Sequence, residues 1–330
     1  MTLMKLAELT GLSVATVSKA FSGSREISDR TRERVFEAAR ELGCFDKYHK
    51  APRERPIIAL IFPESESEYY GREIGLLERE IYKRGADTVI ALTRFNSERE
   101  ARIFSELAYH MKVDGVILSG NARLIKNPDE IPLVVMTKKG ICASNADVVI
   151  QDYASGMTEL ISLIKEYGHK EVGFIGERLT TSKLDHFKGA MRRGGLPIYD
   201  KFIVTSKERF ASAGEDGVLK LLERGVMPSV LVAAYDQIAF GAIKRLKSEG
   251  YRIPEDISVV GMDDLSVNGY FDVPLTSLHI HIENVCRSVV DLIFKRMDNR
   301  YYRERTQITI PVSVNLQRSL GKSPEKANSK

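Results

Sequence analysis

Tryptophan is absent and cysteine is scarce in this chain of 330 residues. The three cysteines, Cys44, Cys142 and Cys286, are odd in number and far apart, so they predict neither a disulfide framework nor a zinc site, and they suit a reducing cytoplasm. No apolar run approaches the ~20 residues that a membrane span requires, so we expect no membrane association. The opening stretch "MTLMKLAELTGL" carries charges and lacks a continuous apolar segment, so we expect no secretory signal and a cytoplasmic protein.

Sequence motifs of the common enzyme classes are also missing. We find no G-x-S-x-G elbow, P-loop, G-x-G-x-x-G fingerprint or H-E-x-x-H helix. The paired acids Asp263 and Asp264 adjoin in sequence and would not flank one substrate bond. We therefore expect no catalytic residue, no cofactor and no metal. The length, with 43% hydrophobic and 28% charged residues, predicts a soluble globular protein of two or three domains.

The first 43 residues have the pattern of three short helices. Gly11 suits the tight turn after the first helix, and Ser13 is a good N-cap for "VATVSKAF". Ser28 caps a third helix that runs to Gly43. Two short helices joined by a tight turn and backed by a third predict a helix-turn-helix domain, whose small core would be Leu6, Ala7, Leu12, Val17, Ile27 and Val35.

In such a domain the second helix enters the major groove of double-stranded DNA, and its small side chains let the backbone approach the bases. Val14 and Ala15 would contact thymine methyl groups, and Lys19 would donate to guanine. Ser13, Thr16 and Ser18 would bond phosphates, with charge supplied by Arg25, Arg30 and Arg32. The alternative is that the three helices form only a cap or a dimerisation arm.

Beyond residue 56, buried-strand patterns alternate with helical ones, from "PIIALIFPE" to "ISVVGM". This alternation is typical of parallel sheets flanked by helices. About ten strands are many for one sheet, so we predict an α/β core of two doubly wound lobes. The last residues, 321–330, are polar and are expected to be disordered.

Several segments together resemble the LacI/GalR family of bacterial transcriptional regulators. They are "LAELTGLSVATVSKAFSG", "ISDRTRERVFEAARELG", "KVDGVIL", "DYASGMTELISLIKEYGHKEVGFIG", "DQIAFGAIKRLKSEGYRIPEDISVVGMDD", "VPLTSL" and "LQRS", in this order. The resemblance implies a homodimeric repressor of a near-palindromic DNA operator, with a core similar to periplasmic binding proteins. It gives a helix-turn-helix domain over 1–45, a linker over 46–56, an effector-binding and dimerisation core over 57–320, and a tail over 321–330. The chain would cross between lobes near 151–170, 278–285 and 311–316.

The linker departs from the family pattern. Members usually carry an alanine-arginine-leucine segment here, whose helix places a leucine in the minor groove. The stretch "CFDKYHKAPRERP" has no leucine, and Pro52 lacks the N–H that a helix interior uses. We interpret it as a degenerate hinge that serves as a tether, although its basic residues remain possible phosphate contacts.

Ligands of open α/β lobes bind beyond the carboxyl ends of the strands. Loops in that position supply a set of candidate effector-binding residues, which are Tyr69, Tyr70, His186, Phe210, Tyr235, Asp236 and Asp263. By the resemblance, His186 stands where the family keeps an effector-binding arginine, and Tyr235 replaces an asparagine. Aromatic faces with a carboxylate suit a small-molecule effector of the sugar or nucleoside class.

Two alternative functions are compatible with this fold. A transport-type binding protein would have the same two lobes but needs export. A regulator whose small-molecule pocket has decayed would respond to a partner protein or to no effector, and the missing arginine keeps that alternative open.

Overall fold

The computed structural model divides the chain into two compact units, residues 1–56 and 57–330. The structure describes residues 3–22, 24, 26–48, 54–127, 131–138, 146–270, 272–299 and 304–324. Three sequence predictions fall wholly or partly elsewhere: Arg25, the linker residues 49–53 and the tail residues 325–330 lie outside the described residues.

The smaller unit, which we call the headpiece, contains the three predicted helices: α1 (Leu3–Thr10), α2 (Val14–Phe21) and α3 (Asp29–Glu41). Their starts and stops follow the capping signals. Ser13 and Ser28 accept hydrogen bonds from the backbone N–H groups of Thr16 and Thr31. Gly11 has a φ of +61°, which a residue with a Cβ adopts at a cost, and the turn between α1 and α2 passes through it.

The headpiece core is small and apolar. Leu6, Val17, Val35 and Ala39 have no exposed surface, and Leu12 and Ile27 pack partly buried against them. A short helix, α4 (Phe45–Tyr48), adds to this core at the start of the predicted linker. The Phe45 ring lies 5.2 Å from Phe36, edge to face, and the Tyr48 ring lies 5.6 Å from Phe21. The first linker residues therefore pack on the three-helix unit.

The larger unit, the core, has two lobes of the same topology. Its strands are β1 (Ile57–Phe62), β2 (Asp87–Leu92), β3 (Gly115–Ser119), β4 (Leu133–Thr137), β5 (Asp147–Asp152), β6 (Val172–Glu177), β7 (Ile203–Ser206), β8 (Val230–Ala233), β9 (Ser258–Met262), β10 (Thr276–Ile280) and β11 (Gln307–Asn315). In the first lobe the parallel order is β2-β1-β3-β4-β5, and in the second it is β7-β6-β8-β9-β10. In each lobe the strand order changes direction at the strand that comes first in the sequence, β1 in the first lobe and β6 in the second. Each lobe therefore has a topological switch point beside that strand.

The lobes share β11. Residues 307–311 run parallel to β5, and Val312–Asn315 pair antiparallel with β10. Together with the passages from β5 to α7 and from β10 to α11, this strand gives three crossings, all within or beside the stretches that the family resemblance implies. The helices are α5 (Glu68–Lys83), α6 (Ser97–Ser105), α7 (Tyr153–Glu166), α8 (Thr181–Gly194), α9 (Phe210–Glu223), α10 (Asp236–Ser248) and α11 (Ile282–Asp298).

The central strands are almost wholly apolar because helices cover both faces of the sheets. β1, for example, buries Ile58 to Phe62 completely. The predicted α/β class, with a helix-turn-helix headpiece and a two-lobed doubly wound core, is confirmed.

Candidate functional site

The N-terminal end of α2 is fixed by its cap. The Ser13 hydroxyl accepts the Thr16 N–H at 3.0 Å and lies 2.8 Å from the Thr16 hydroxyl. This cap ends the turn from α1 and places Val14 and Ala15 in the first turn of α2. In a helix-turn-helix domain, that end of the second helix contacts base edges.

One face of α2 is buried and the other is exposed. Val17, Ala20 and Phe21 enter the headpiece core, and Thr16 is half-buried. The exposed residues are those that the sequence predicts for DNA: Ser13, Val14, Ala15, Ser18 and Lys19. Val14 keeps 42% of its surface exposed, although it is a large apolar residue. Small apolar groups and hydroxyls therefore form a continuous strip along the helix.

The basic residues of the headpiece differ in their partners. Lys19 forms an exposed ion pair with Glu26, and that hydrogen bond lowers the pKa of the Glu26 carboxyl. Arg32 is held by Asp29, at 3.1 Å, and by the Ser24 carbonyl oxygen, at 2.9 Å. Arg30 is exposed and forms no hydrogen bond or ion pair within the described part of the chain. Arg30 is thus available for a phosphate, whereas Lys19 must leave Glu26 to reach a base.

A cavity of about 310 Å³ lies in the core between the two lobes, in the size range of small-molecule sites. Its walls follow the carboxyl ends of β1 to β4 in the first lobe and of β6 to β9 in the second. Five of the predicted effector residues line it: Tyr69, Tyr70, Phe210, Tyr235 and Asp263. The cavity therefore occupies the place where doubly wound lobes bind ligands.

Asp263 is the centre of a buried polar group in the second lobe. Its Oδ1 accepts a hydrogen bond from Lys183 at 2.9 Å and from the Tyr153 hydroxyl at 3.2 Å. The Lys183 and Asp263 side chains are only 10% and 8% exposed, and the Lys183 ammonium also lies 5.3 Å from the Tyr153 ring centroid. Asp263, which the sequence predicts as an effector-binding residue, is therefore already paired with Lys183.

A second ion pair, between two residues of the cavity lining, joins the lobes. Arg209, after β7, donates both terminal nitrogens to Glu64, after β1, each at 2.8 Å. The Arg209 Nε lies 3.6 Å from Glu177 as well. Hydrogen bonding to Glu64 raises the pKa of Arg209. A bidentate pair of this kind restricts the relative orientation of the two loops that hold Arg209 and Glu64.

Beneath the cavity, Glu73 is fully buried. Its Oε1 accepts from the Tyr69 hydroxyl at 2.7 Å and from the Gln151 amide at 2.9 Å. Burial raises the pKa of the Glu73 carboxyl to about 7, against these two hydrogen bonds. This group fixes the Tyr69 ring, whose face is turned toward the neighbouring Tyr70 at 5.2 Å.

Three residues at the second lobe's rim have backbones in the left-handed region. The φ angles are +56° for Phe210, +104° for Asp263 and +48° for Asp264. Residues with a Cβ adopt such angles at a cost of order 1–3 kcal/mol, and they cluster at binding sites. Phe210 also receives support from Tyr235, whose hydroxyl accepts the Phe210 N–H at 3.0 Å. The strained backbone and this hydrogen bond hold the rim in one arrangement.

Two predicted effector residues, His186 and Asp236, are not among the residues that line the cavity, and their role stays a prediction. His186 lies one turn beyond Lys183 on α8, and its ring stacks on Tyr153 with a centroid separation of 6.4 Å. Asp236 is completely buried, and its carboxylate accepts from the Leu265 N–H at 2.7 Å and the Ser277 hydroxyl at 2.6 Å. Asp236 therefore holds together the loop after β9 and strand β10.

The cavity also contains charged residues that the sequence reasoning missed: Glu64, Glu100, Lys138, Glu177, Lys183 and Arg209. Lys183 could have been found, because it lies three residues before His186 and so on the same side of α8. The pairing of Arg209 with Glu64 joins residues 145 positions apart and leaves no local signal.

Neither a metal centre nor a membrane span is present in the part of the chain that the structure describes. No group of three His, Cys, Asp or Glu residues there could hold a metal ion. No helix among the same residues is long and apolar enough to cross a membrane.

Two family profiles match the chain. "Bacterial regulatory proteins, lacI family" matches residues 2–45, the headpiece, and "Periplasmic binding protein-like domain" matches residues 162–320 of the core. Curated relatives match over nearly the whole length. The HTH-type transcriptional repressor PurR of Pasteurella multocida is 26% identical over 97% of this chain and 98% of its own, and the ribose operon repressor of Haemophilus influenzae is 27% identical over 95% and 97%.

Solved structures share the fold. The transcriptional regulator CelR in complex with cellobiose has a TM-score of 0.69 and 24% identity, covering 97% of this chain and 100% of its own. The lac repressor dimer bound to operator and the anti-inducer ONPF has a TM-score of 0.69 and 19% identity, covering 97% and 98%. These similarities agree with the fold of the headpiece and of the two-lobed core. The members of the matched family are regulators rather than enzymes, and they join a DNA-binding domain to an effector-binding domain. The chain belongs to the LacI family of bacterial transcriptional repressors.

Proposed function

We propose that this repressor binds a near-palindromic operator in double-stranded DNA as a homodimer in the cytoplasm, under the control of a small-molecule effector in the interlobe cavity. We place the effector in the sugar or nucleoside class. The observation that carries the proposal is the cavity itself, whose polar residues come from both lobes and include an ion pair between them.

The surface of α2 supports sequence-specific DNA binding. Its exposed strip combines the apolar groups of Val14 and Ala15 with the hydroxyls of Ser13 and Ser18 and the ammonium of Lys19. Apolar contacts discriminate thymine, and a lysine donor suits guanine O6 and N7. We assign base contacts to Val14, Ala15 and Lys19, and phosphate contacts to Ser13, Thr16, Ser18, Arg25, Arg30 and Arg32.

A dimer follows from the size of this strip. One α2 covers only a few base pairs, so a single headpiece gives little specificity, whereas two headpieces on a two-fold axis read two half-sites together. The lac repressor of similar fold is itself a dimer bound to operator.

The cavity supports a sugar-type effector. The described lining includes five aromatic rings that can stack on the apolar face of a sugar or base, those of Tyr69, Tyr70, Phe95, Phe210 and Tyr235. Hydroxyl and amide side chains of Thr93, Asn96, Ser97, Ser119 and Asn121 face the same space. A related protein is named for the ribose operon, and one of similar fold holds cellobiose.

Binding of an effector can alter DNA binding because residues of both lobes line the cavity. A ligand that contacts both lobes favours one angle between them, and a ligand with different affinities for two arrangements shifts their populations. Coupling of this kind between two sites is typically about 1–3 kcal/mol.

The alternative, a regulator that has lost its small-molecule site, rests on the arginine missing at His186. The structure offers Lys183 on the same helix as a replacement cation.

Selection of DNA from a random pool, with and without sugars and nucleosides, tests the proposal. We expect one inverted-repeat sequence to be enriched, and at least one compound to change its retention. An enriched sequence without two-fold symmetry would contradict the dimeric operator. Enrichment that no compound affects would favour the alternative in which the effector is a partner protein or is absent.

A further inference from the structure

One cation in the described part of the cavity wall, Lys138, forms no ion pair, although the charges of Asp263 and Glu73 act on it from farther away. Lys138 follows β4, and its ammonium lies 4.9, 5.9 and 5.1 Å from the ring centroids of Tyr69, Tyr70 and Tyr153. Within the described part of the chain, no carboxylate lies within ion-pair distance of it. The other two cations of the cavity, Lys183 and Arg209, each have a carboxylate within 2.9 Å.

The three rings do not use the hydrogen-bonding capacity of Lys138. An ammonium group carries three N–H donors, and ring faces stabilise its charge without accepting these donors as oxygens do. The Tyr69 hydroxyl has one proton to share between Glu73 and Gln151, the Tyr153 hydroxyl donates to Asp263, and neither is hydrogen-bonded to Lys138. Lys138 therefore presents its charge and its N–H donors to the cavity, where a ligand can pair with both.

Burial and the neighbouring Lys183 lower the pKa of Lys138 to about 8, so the ammonium form still predominates at pH 7. An anion beside it would reverse this effect.

The described lining carries one more carboxylate than cation, and its ion pairs leave one cation, Lys138, available to a ligand anion. The described lining holds three cations, Lys138, Lys183 and Arg209, and four carboxylates, those of Glu64, Glu100, Glu177 and Asp263. A monoanion completes a pair with Lys138. Lys183 and Arg209 are already paired with Asp263 and Glu64, so the second charge of a phosphate monoester, whose charge is near −2, would find no cation left to pair with.

The rest of the same wall suits hydroxyl groups. Glu100 is 6% exposed, and its Oε1 has no hydrogen-bond partner among the described residues. It packs beside Gly120, where a Cβ would lie 2.4 Å from Oε2, so only glycine leaves room for the carboxyl. An acceptor left buried without a donor is costly, and a ligand hydroxyl would supply one. Gly120 also donates to the carbonyl of Met136, two residues before Lys138, which ties the two loops together.

We propose that the effector is a sugar acid, a monocarboxylated polyol whose carboxylate pairs with Lys138 and whose hydroxyl groups bond Glu100 and its neighbours. This inference rests on the proposed function, because it takes the interlobe cavity to be the effector site.

The test is calorimetric titration of the full chain with matched ligands. These are the sugar acids glucuronate, galacturonate and gluconate, the neutral sugars glucose and galactose, the phosphate ester glucose 6-phosphate, and a panel of nucleosides. Lys138→Met removes the charge and keeps much of the volume. Lys170→Met, at an exposed lysine outside the cavity, is the control. Thermal unfolding of each variant checks that the core remains folded.

We expect at least one sugar acid to bind at least tenfold tighter than the matched neutral sugar. Lys138→Met should lose that factor and leave the weak binding of the neutral sugar unchanged, and Lys170→Met should behave as wild type. Tighter binding of the neutral sugar, the phosphate ester or a nucleoside would overturn the sugar-acid assignment and leave the proposed function standing. If no compound binds, the effector site itself is refuted, and this inference with it.

Discussion

Lys183→Met tests the contribution of the buried ion pair between Lys183 and Asp263 in the cavity wall. The change removes the ammonium and keeps most of the side-chain volume. It leaves the Asp263 carboxylate, 8% exposed, with the Tyr153 hydroxyl as its remaining partner. Loss of one partner of a buried pair costs about 3–5 kcal/mol. Because Asp263 lines the cavity and solvent can reach it, we expect a smaller loss, about 2–3 kcal/mol in the free energy of unfolding of the core.

A double-mutant cycle separates the pair from other effects of the substitutions. Asp263→Asn keeps the shape of the side chain and an oxygen for Tyr153, and the double variant carries both changes. If the pair is as buried as the structure shows, the double variant should lose about 1.5 kcal/mol less than the sum of the single losses. Urea unfolding of the four proteins at pH 7 measures this, with Lys170→Met as the surface control. Losses that add to within about 0.5 kcal/mol would refute the coupling.

The other predictions concern DNA, assembly and pH. Lys19→Ala should weaken specific DNA binding by about 1–3 kcal/mol and relax the base preference at one position in each half-site. Arg30→Ala should weaken binding to all DNA sequences alike and reduce its salt dependence. An unchanged sequence preference for Lys19→Ala would contradict the proposed docking of α2. Light scattering at micromolar concentration should give twice the 37.1 kDa chain mass, and a monomer on operator DNA would contradict the dimer. With no leucine in the linker, a circular-permutation assay should show little operator bending, and a sharp central kink would mean that a hinge forms on DNA. Sugar-acid affinity should fall at least about fivefold from pH 7.5 to 9.5, because the pKa of Lys138 is about 8 and the ammonium loses its charge there; a Lys138→Met variant should show no such fall.

The parts of the fold with local signals could be predicted from the sequence. Ser13 and Ser28 cap helices through bonds to residues three positions on, and Gly11 permits a turn by its own backbone. Alternation of apolar runs with amphipathic segments specified the two doubly wound lobes. The rule that ligands bind beyond the carboxyl ends of parallel strands then placed Tyr70, Phe210 and Asp263 at the cavity.

The charge arrangement of the cavity could not be predicted in this way. Lys183 reaches Asp263 across 80 residues, and Arg209 reaches Glu64 across 145, so these pairs exist only once the lobes have folded. The burial of Asp236 could not be predicted either, because its partners, Leu265 and Ser277, lie on distant segments. The family pattern gives the place of His186 in the sequence, but the stacking of its ring with Tyr153 is a tertiary contact that has no local signal.

The most direct test of the account is the affinity of the selected operator for the protein with and without the compounds, measured by fluorescence anisotropy at fixed salt. For the wild type, we predict that at least one compound changes the operator affinity by about 5- to 150-fold, the range of typical allosteric coupling. For Asp263→Ala, the same compound should have no effect, while the affinity without compound stays within about twofold of wild type, because the headpiece has its own core. An operator affinity that no compound changes in the wild type, or a full response in Asp263→Ala, would contradict the claim that a ligand in the interlobe cavity controls DNA binding.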